Sequence, residues 1–299
     1  MNIENIPTIP AKTIITRMGS SSWFGVWYNM NIYRGCSHGC IYCDSRSDCY
    51  RNTEFDTVKV KENALQIIRD ELRRKVKAGV ISTGAMSDPY NPVEKELKLT
   101  RNALELMNAF GFGVSICTKS ALIARDVDVL QDIKAFSPVL AKISITAADD
   151  GLCKKIEPYV STTSQRLEAL AKLAESGIYS GVWINPVLPF LTDTEENILC
   201  ILRMAKEAGA KFVITFMGMT LRSGNREYYY EQLDKQGLFY VKEKHIKRFG
   251  NRYENPSPNA KKLWSVFTAE CERLGLLYDM KAITTQYTMG YGDRQMTLF

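Results

Sequence analysis

From position 28 onward, short apolar runs alternate with amphipathic segments, and this pattern predicts repeated strand and helix units. β-branched and aromatic residues dominate the runs, while the segments between them carry apolar residues at helical spacing, as in Leu65, Ile68, Leu72 and Val76. Such alternation is typical of a parallel sheet covered by helices. The expected strands are Tyr28 to Tyr33, Val80 to Thr83, Gly113 to Thr118, Val139 to Thr146, Tyr179 to Val187 and Lys211 to Met217.

Six such strands predict an α/β fold, a partial (β/α)6 barrel of the TIM type with a helix-rich C-terminal appendage. Functional residues of barrels lie at the C-terminal ends of the strands, so candidate site residues are expected there. After the fifth strand, Asp193 and Glu196 have the spacing of a capping box, which predicts a helix that begins here and ends before Gly209.

The same pattern divides the chain into four segments. Residues 1–27 form a leader whose Trp23, Phe24 and Trp27 predict packing on the core, and residues 28–220 form the barrel. Residues 221–288 form a basic, aromatic appendage, and residues 289–299 form a mobile tail.

Composition and charge narrow the class of protein. No run of about 18 apolar residues occurs and the N-terminus lacks the apolar core of a signal peptide, so a cytoplasmic protein is expected. Three of the eight cysteines fall within eight residues and five are scattered, which favours one metal site over a disulfide framework. The formal net charge of +6 is compatible with an anionic partner but does not by itself require one.

The clustered cysteines, Cys36, Cys40 and Cys43, have CxxxCxxC spacing immediately after the first expected strand. Three thiolates can hold a 4Fe-4S cluster and leave one iron open for a further ligand. Two alternatives remain: a structural zinc site in which His38 is the fourth ligand, and ordinary buried cysteines that happen to lie close together.

The motif and its surroundings resemble the radical S-adenosylmethionine superfamily. Within it, NIYRGCSHGCIYC and the later GAMSDPYNPVEKELKLTR are similar to the spore photoproduct lyase-like branch. The resemblance implies that S-adenosylmethionine binds the open iron and that a reductant such as flavodoxin or ferredoxin supplies one electron. It also implies that the resulting 5′-deoxyadenosyl radical abstracts a hydrogen atom from the substrate.

The resemblance also implies roles for individual residues. Tyr42 would lie against the adenine and Ser87 would contact the methionine end of the cofactor. The carboxylate and ribose contacts would come from Lys119, Ser144 and Asn185. Asp88, Tyr90 and Glu94 follow the second strand, where substrate contacts are expected, and Tyr90 is a candidate catalytic residue; a DPYNP segment is also simply good turn chemistry.

One position departs from the family pattern. Spore photoproduct lyases carry a hydrogen-donating cysteine two residues before the serine matched to Ser87, and this chain has Ala85 there. A methyl group cannot replace a thiol in this role, so the lyase reaction is not expected. Cys117 is two residues before Lys119, so both side chains are expected on the same, inward face of the strand. Cys117 is therefore a candidate replacement donor, and the alternative is a small core residue.

The last residues resemble the peptides with which bacterial repair and replication proteins bind the DNA sliding clamp. The residues that carry this resemblance are Gln295, Met296, Leu298 and Phe299. The alternative is a tail folded back on its own domain. In the appendage, Phe249, Tyr253 and Trp264 are candidates to stack on bases. The accompanying cations are Lys242, Lys244, Lys247, Arg248, Arg252, Lys261 and Lys262.

These features together predict a radical enzyme that acts on DNA or a nucleotide lesion and is recruited to the sliding clamp. Two other functions remain open. The first is the same radical chemistry on a protein, peptide or small molecule. The second is a non-enzymatic, zinc-containing DNA-binding adaptor.

Overall fold

The structure, a computed structural model, describes residues 6–19, 23–75 and 77–291. Its strands are β1 Thr8–Ile9, β2 Ile15–Arg17, β3 Tyr28–Met30, β4 Tyr33–Arg34, β5 Lys59–Lys61, β6 Val80–Thr83, β7 Gly113–Thr118, β8 Val139–Ser144, β9 Tyr179–Ile184, β10 Phe212–Thr215, β11 Gly218–Thr220 and β12 Glu254–Pro256. Its α-helices are α1 Ala64–Arg73, α2 Glu94–Leu97, α3 Leu99–Ala109, α4 Val127–Lys134, α5 Asp150–Ile156, α6 Thr163–Glu175, α7 Glu195–Glu207, α8 Asn225–Lys235, α9 Phe239–Phe249, α10 Ala260–Leu274 and α11 Met280–Thr288. Within this part of the chain, no helix combines the length and apolar character needed to cross a membrane.

A seven-stranded sheet with the order β10-β9-β8-β7-β6-β3-β2 forms the centre of the molecule. Six of its strands run parallel, namely β3, β6, β7, β8, β9 and β10, and β2 pairs antiparallel with β3 at one edge. The α/β fold and the partial barrel predicted from the sequence are therefore confirmed, together with the helix-rich C-terminus. Parallel register brings the C-terminal ends of all six strands to one edge of the sheet.

The central strands have two chemically different faces. On one face, alternate residues pack apolar side chains against the helices. The residues between them lie on the other face and include Ser115 and Cys117 of β7 and Lys142 and Ser144 of β8. The ammonium group of Lys142 donates to the Ser115 hydroxyl at 2.6 Å and lies 4.3 Å from the centre of the Phe24 ring. Burial lowers the pKa of Lys142 to about 8.

The first expected strand is divided in two. β3 belongs to the large sheet, while β4 pairs antiparallel with β5 in a small sheet that also contains β1. The sequence pattern predicts one strand because the alternation of apolar and polar residues continues through Asn31 and Ile32, but the chain changes sheets there. The N-terminal segment packs on the barrel, because β2 pairs with β3 and Phe24 is completely buried.

The helix after β9 begins one residue later than its predicted cap. Thr194 is the N-cap, and its hydroxyl accepts a hydrogen bond from the Asn197 amide at 3.1 Å. The Asp193 carboxylate instead accepts a hydrogen bond from the Ser257 hydroxyl at 2.7 Å, so the predicted capping box is wrong. Asp193 therefore makes a tertiary contact with the C-terminal part of the chain instead of capping the helix.

The C-terminal helices enclose a small aromatic core around His245. This side chain is fully buried, its Nδ1 lies 3.0 Å from the Tyr230 hydroxyl, and its ring is 4.7 Å from that of Phe249. Phe249 is 5% exposed, so the expectation that it stacks on bases is wrong. Tyr253 and Trp264, each 44% exposed, remain accessible.

The buried imidazole predicts a specific loss of stability in acid. Burial, and secondarily the charge of Arg226, lower the pKa of His245 to about 4, whereas an unfolded histidine titrates near 6.5. The unfolded chain therefore binds more protons between these values, and stability falls as the pH drops. His245→Phe should remove about 2 kcal/mol of the decrease in unfolding free energy between pH 7.5 and 5.0. Urea unfolding of both proteins at the two pH values tests this, and an equal decrease in both would contradict it.

Candidate active site

A cavity of about 560 Å³ opens at the C-terminal ends of the parallel strands. Its inner part is lined by the loop after β4, which carries the three clustered cysteines, and by residues at or just after the C-terminal ends of β6, β7, β8 and β9. Its outer part is lined by residues from position 216 to the end of β11 and by β12. The outer part therefore belongs to segments beyond the six parallel strands.

Two glycines allow the cysteine loop to pass close to its neighbours. Gly35 and Gly39 have φ values of +79° and +69°. A side chain at Gly35 would collide with backbone carbonyls of the segment before β5, and a Cβ at Gly39 would lie 2.7 Å from the Tyr159 ring. The Cys36 amide donates to Phe55 at 2.8 Å, and the Ile41 amide donates to Ile156 at 3.0 Å, so the loop is held from both sides.

The donor set fits an iron-sulfur cluster better than a single metal ion. Cys36, Cys40 and Cys43 all line the cavity, but within the described ranges no group of three His, Cys, Asp or Glu side chains is arranged to hold one ion. In a four-iron cluster each thiolate binds a different iron, so the sulfurs stand further apart than the ligands of one zinc. His38, the fourth ligand of the zinc alternative, instead has its Nδ1 3.5 Å from the Asp88 carboxylate.

The protonation of the three thiols depends strongly on burial. Desolvation raises the pKa of Cys36 to about 12 and also raises the pKa values of Cys40 and Cys43. Because iron binds thiolates, loading of the loop must release these protons.

The five residues that the resemblance assigns to cofactor contacts all line the same cavity; they are Tyr42, Ser87, Lys119, Ser144 and Asn185. The Ser87 hydroxyl donates to the Gly35 carbonyl at 2.5 Å, which leaves its oxygen free to accept a hydrogen bond from an amino group. The ammonium group of Lys119 lies 5.8 Å from the centre of the Tyr42 ring. This part of the cavity can therefore bind a carboxylate through the Lys119 ammonium group and a flat ring against the Tyr42 ring.

Asp88 joins three parts of the site. Its carboxylate accepts hydrogen bonds from the Thr118 hydroxyl at 2.6 Å and from the Lys119 amide at 2.8 Å. The same carboxylate accepts from the Tyr90 amide at 2.9 Å and faces His38 of the cysteine loop. Asp88 therefore fixes the loop after β6 to the end of β7, whereas the sequence predicted either a substrate contact or a turn there.

Cys117 lines the same cavity as Ala85, which occupies the position of the family cysteine. The Cys117 sulfur is 3.4 Å from the Ser144 hydroxyl. Gly84, which precedes Ala85, has φ of +99°, and any side chain there would collide with the Cys117 carbonyl. The chain after β6 and the end of β7 are therefore in close contact.

Other predicted site residues are placed elsewhere. Tyr90 is 1% exposed and belongs to the hydrophobic core; it is not among the residues that line the cavity. The four tail residues, Gln295, Met296, Leu298 and Phe299, lie outside the described part of the chain.

Several residues that line the cavity were not among the candidates from the sequence. In the outer part, Phe216 and Met219 contribute apolar groups and Glu254 and Asn255 of β12 contribute polar groups, while Trp183 reaches the cavity from β9. Trp183 could have been identified in one way only. It is two residues before Asn185, and side chains two apart in an extended chain lie on the same face. No local pattern indicates that β12, more than 30 residues after β11, returns to pair with it.

The fold and the site define a cofactor-binding barrel with three thiols at its mouth, and comparison with known proteins assigns its family. The Radical SAM superfamily model matches residues 30–199, and the chain belongs to this superfamily. The superfamily cofactors are a 4Fe-4S cluster and S-adenosylmethionine, which together supply a 5′-deoxyadenosyl radical when bound. The zinc adaptor alternative is therefore set aside.

Curated relatives support the assignment. An uncharacterized protein of Mycobacterium tuberculosis is 32% identical over 225 residues, which cover 73% of this chain and 66% of the relative. An uncharacterized protein of Methanocaldococcus jannaschii is 37% identical over 174 residues, covering 57% of this chain and 64% of the relative. The chain thus spans slightly less than two thirds of the length of these relatives.

A solved structure shares the fold. A spore photoproduct lyase mutant with bound AdoMet and dinucleoside spore photoproduct superimposes with a TM-score of 0.67 at 15% identity. The match covers 93% of this chain and 84% of that protein. At this identity the likeness shows the fold alone.

Each cysteine of the loop can be tested by iron content. Reconstituted under anaerobic conditions, the protein should bind about four irons per chain, and Cys36→Ala, Cys40→Ala or Cys43→Ala should each lose most of this iron. Cys200→Ala, on the exposed side of α7, is the matched control and should keep it. Iron and sulfide analysis with visible absorption measures the result, and stoichiometric zinc in a colourless protein would contradict the assignment.

Proposed function

We propose that this radical enzyme acts on a nucleobase or nucleotide lesion in DNA, from which it abstracts a hydrogen atom. The observation that carries this proposal is the aromatic outer wall of the cavity. The role of the chain in this reaction is to hold the cofactor in the inner part, to present a flat substrate ring in the outer part, and to exclude water between them.

The aromatic wall has the geometry of a stacking surface. Phe216 lines the cavity yet is 51% exposed, and its ring is stacked on Trp23 with centroids 6.1 Å apart and planes 6° apart. Trp183 also lines the cavity, and its ring centre is 5.7 Å from that of Trp23. Exposed aromatic surface inside a cavity favours a ligand that covers it, and nucleobases bind in this way.

The cavity lining also includes polar residues. Asp44, Thr220, Glu254 and Asn255 are among them. A nucleobase has an apolar face and a hydrogen-bonding edge, so a cavity lined by both aromatic and polar side chains matches this chemistry better than it matches an aliphatic substrate.

A basic helix face lies close to this mouth along the chain. Lys244, Lys247 and Arg248 are exposed at i, i+3 and i+4 positions of α9. The helix ends at Phe249, and β12 at the cavity begins five residues later, a reach of at most about 17 Å. Positive charge at this distance supports contacts with the phosphates that flank a base held in the cavity.

The structural neighbour gives independent support, because its bound ligand is a dinucleoside. The lyase reaction itself is not proposed, because Ala85 occupies the position of the family cysteine. We propose Cys117 as the hydrogen donor instead: its S–H hydrogen atom passes to the carbon radical left on the substrate. The thiyl radical left on Cys117 is returned to the thiol by one electron from the flavodoxin- or ferredoxin-type reductant and one proton from solvent, so the hydrogen atom taken from the substrate stays in 5′-deoxyadenosine.

Deuterium transfer tests the proposed substrate class. The protein is incubated anaerobically with S-adenosylmethionine, dithionite and DNA carrying deuterated nucleosides, in single-stranded, duplex and irradiated forms. Deuterium should appear in 5′-deoxyadenosine. Phe216→Ala should lower this transfer at least about fivefold, because loss of base stacking costs about 1–3 kcal/mol, while substrate-free cleavage of S-adenosylmethionine stays unchanged.

The matched control is Phe136→Ala. Phe136 is 60% exposed and lies between α4 and the start of β8, at the opposite end of the sheet, so its loss should not change deuterium transfer. Deoxyadenosine formation without any deuterium from DNA would contradict the nucleic-acid substrate. It would favour a protein, peptide or small molecule as the target.

We further propose that the C-terminal tail recruits the enzyme to the DNA sliding clamp. Leu298→Ala/Phe299→Ala should reduce capture of the protein by immobilised clamp at least tenfold, because apolar anchors dominate such peptide contacts. Met289→Ala is the control and should bind normally, because this exposed apolar residue is the first of the tail and lies six positions before Gln295, where the clamp-like residues begin. Equal capture of all three proteins would remove this proposal without affecting the radical chemistry.

A further inference from the structure

Arg166 is the largest completely buried side chain among the described residues, and its guanidinium group contacts four other residues. Its Nε donates to the Ser161 carbonyl at 2.7 Å, and its Nη1 donates to the Ser144 carbonyl at 2.8 Å. Its Nη2 donates to the Glu157 carboxylate and lies 3.4 Å from the Cys153 sulfur. One guanidinium group thus holds the C-terminal end of β8 and the segment between α5 and α6.

Glu157 continues this chain of contacts to the cysteine loop. It is 1% exposed, and its second carboxylate oxygen accepts a hydrogen bond from the Tyr42 hydroxyl. The Tyr42 oxygen also lies 3.1 Å from the Thr146 hydroxyl, so both sides of the phenol are fixed. Tyr42 is situated between Cys40 and Cys43, and its ring lines the cavity.

The cost of this arrangement indicates that it does more than stabilise the fold. A fully buried ion pair loses the hydration of both groups, and apolar residues of similar size often stabilise a core equally well. Burial opposes the charge on Glu157, yet Arg166 and Lys119 outweigh it and lower the pKa of the carboxyl. The pair therefore stays charged, and two of its contacts, with Ser144 and with Tyr42, reach residues that line the cavity.

We propose that Arg166, acting through Glu157 and Tyr42, is a positioning residue that sets the cysteine loop at a fixed distance from the end of β8 so that S-adenosylmethionine can contact both. The proposal rests on the assignment of the cofactors and is independent of the nucleic-acid substrate. Ser144 at the end of β8 and the Tyr42 ring are two walls of one cavity, and Arg166 bonds directly to the first and through one carboxylate to the second. Neither wall can shift without breaking a buried, charged hydrogen bond.

The test replaces the pair as a unit, because removal of one partner would leave a buried charge and could prevent folding. Glu157→Leu/Arg166→Met should fold, bind about as much iron as the wild-type protein and melt at a similar temperature. Its affinity for S-adenosylmethionine, measured by anaerobic equilibrium binding, should fall at least tenfold. A double variant that folds, holds its iron and binds the cofactor normally would overturn the proposal.

Tyr42→Phe gives a second, milder test that leaves the ion pair intact. It keeps the ring and removes only the hydroxyl that reaches Glu157, so affinity for the cofactor should fall about threefold to tenfold. The iron content should stay unchanged, and the folded protein should melt at a slightly lower temperature because one buried carboxylate oxygen loses its donor. Unchanged affinity in Tyr42→Phe would also contradict the proposal, including when the double variant does not fold.

Glu270→Gln is the matched control. Glu270 pairs with Arg203 at 2.8 Å and with Arg273 at 2.7 Å at the α7–α10 contact, and neither partner lines the cavity. This variant should bind the cofactor normally. Failure of the wild-type protein to bind S-adenosylmethionine would instead refute the cofactor assignment, so the two failures are distinguishable.

Discussion

The parallel pairing of six strands is the constraint on which the rest of the molecule depends. Parallel strands end at the same edge of a sheet, so Cys117, Lys119, Ser144 and Asn185 meet although they are widely separated in sequence. The cysteine loop is placed at this edge because β3, which precedes β4 and the loop, pairs with β6. A change of register in any of these strands would send the inward-facing polar residues into the apolar layer beneath the helices.

Buried polar groups then convert this edge into a site of defined shape. Asp88 links the loop after β6 to the end of β7, and Arg166 with Glu157 links the cysteine loop to the end of β8. Buried hydrogen bonds to charged groups are costly to break and tolerate little displacement. These buried bonds therefore fix the inner part of the cavity. Its outer part is lined by β11 and β12, which come after the six parallel strands in the chain.

Much of the fold follows from local patterns. The six parallel strands, the helices between them and the absence of a long apolar helix within the described residues all agree with the periodicity of the sequence. The CxxxCxxC spacing indicates an iron-sulfur site because three thiols in a short loop have few other uses, and the family assignment agrees with it. These features are readable because each depends on residues that are neighbours in the sequence.

Tertiary contacts decided what the local patterns could not. Asp193 has the spacing of a helix cap but bonds to Ser257, Tyr90 belongs to the core, and Phe249 is covered by the appended helices. The pairing of β11 with β12 and the buried contacts of Arg166 have no signal in the sequence. Periodicity reports which face of an element is apolar, but only the packed structure determines which distant polar groups satisfy one another.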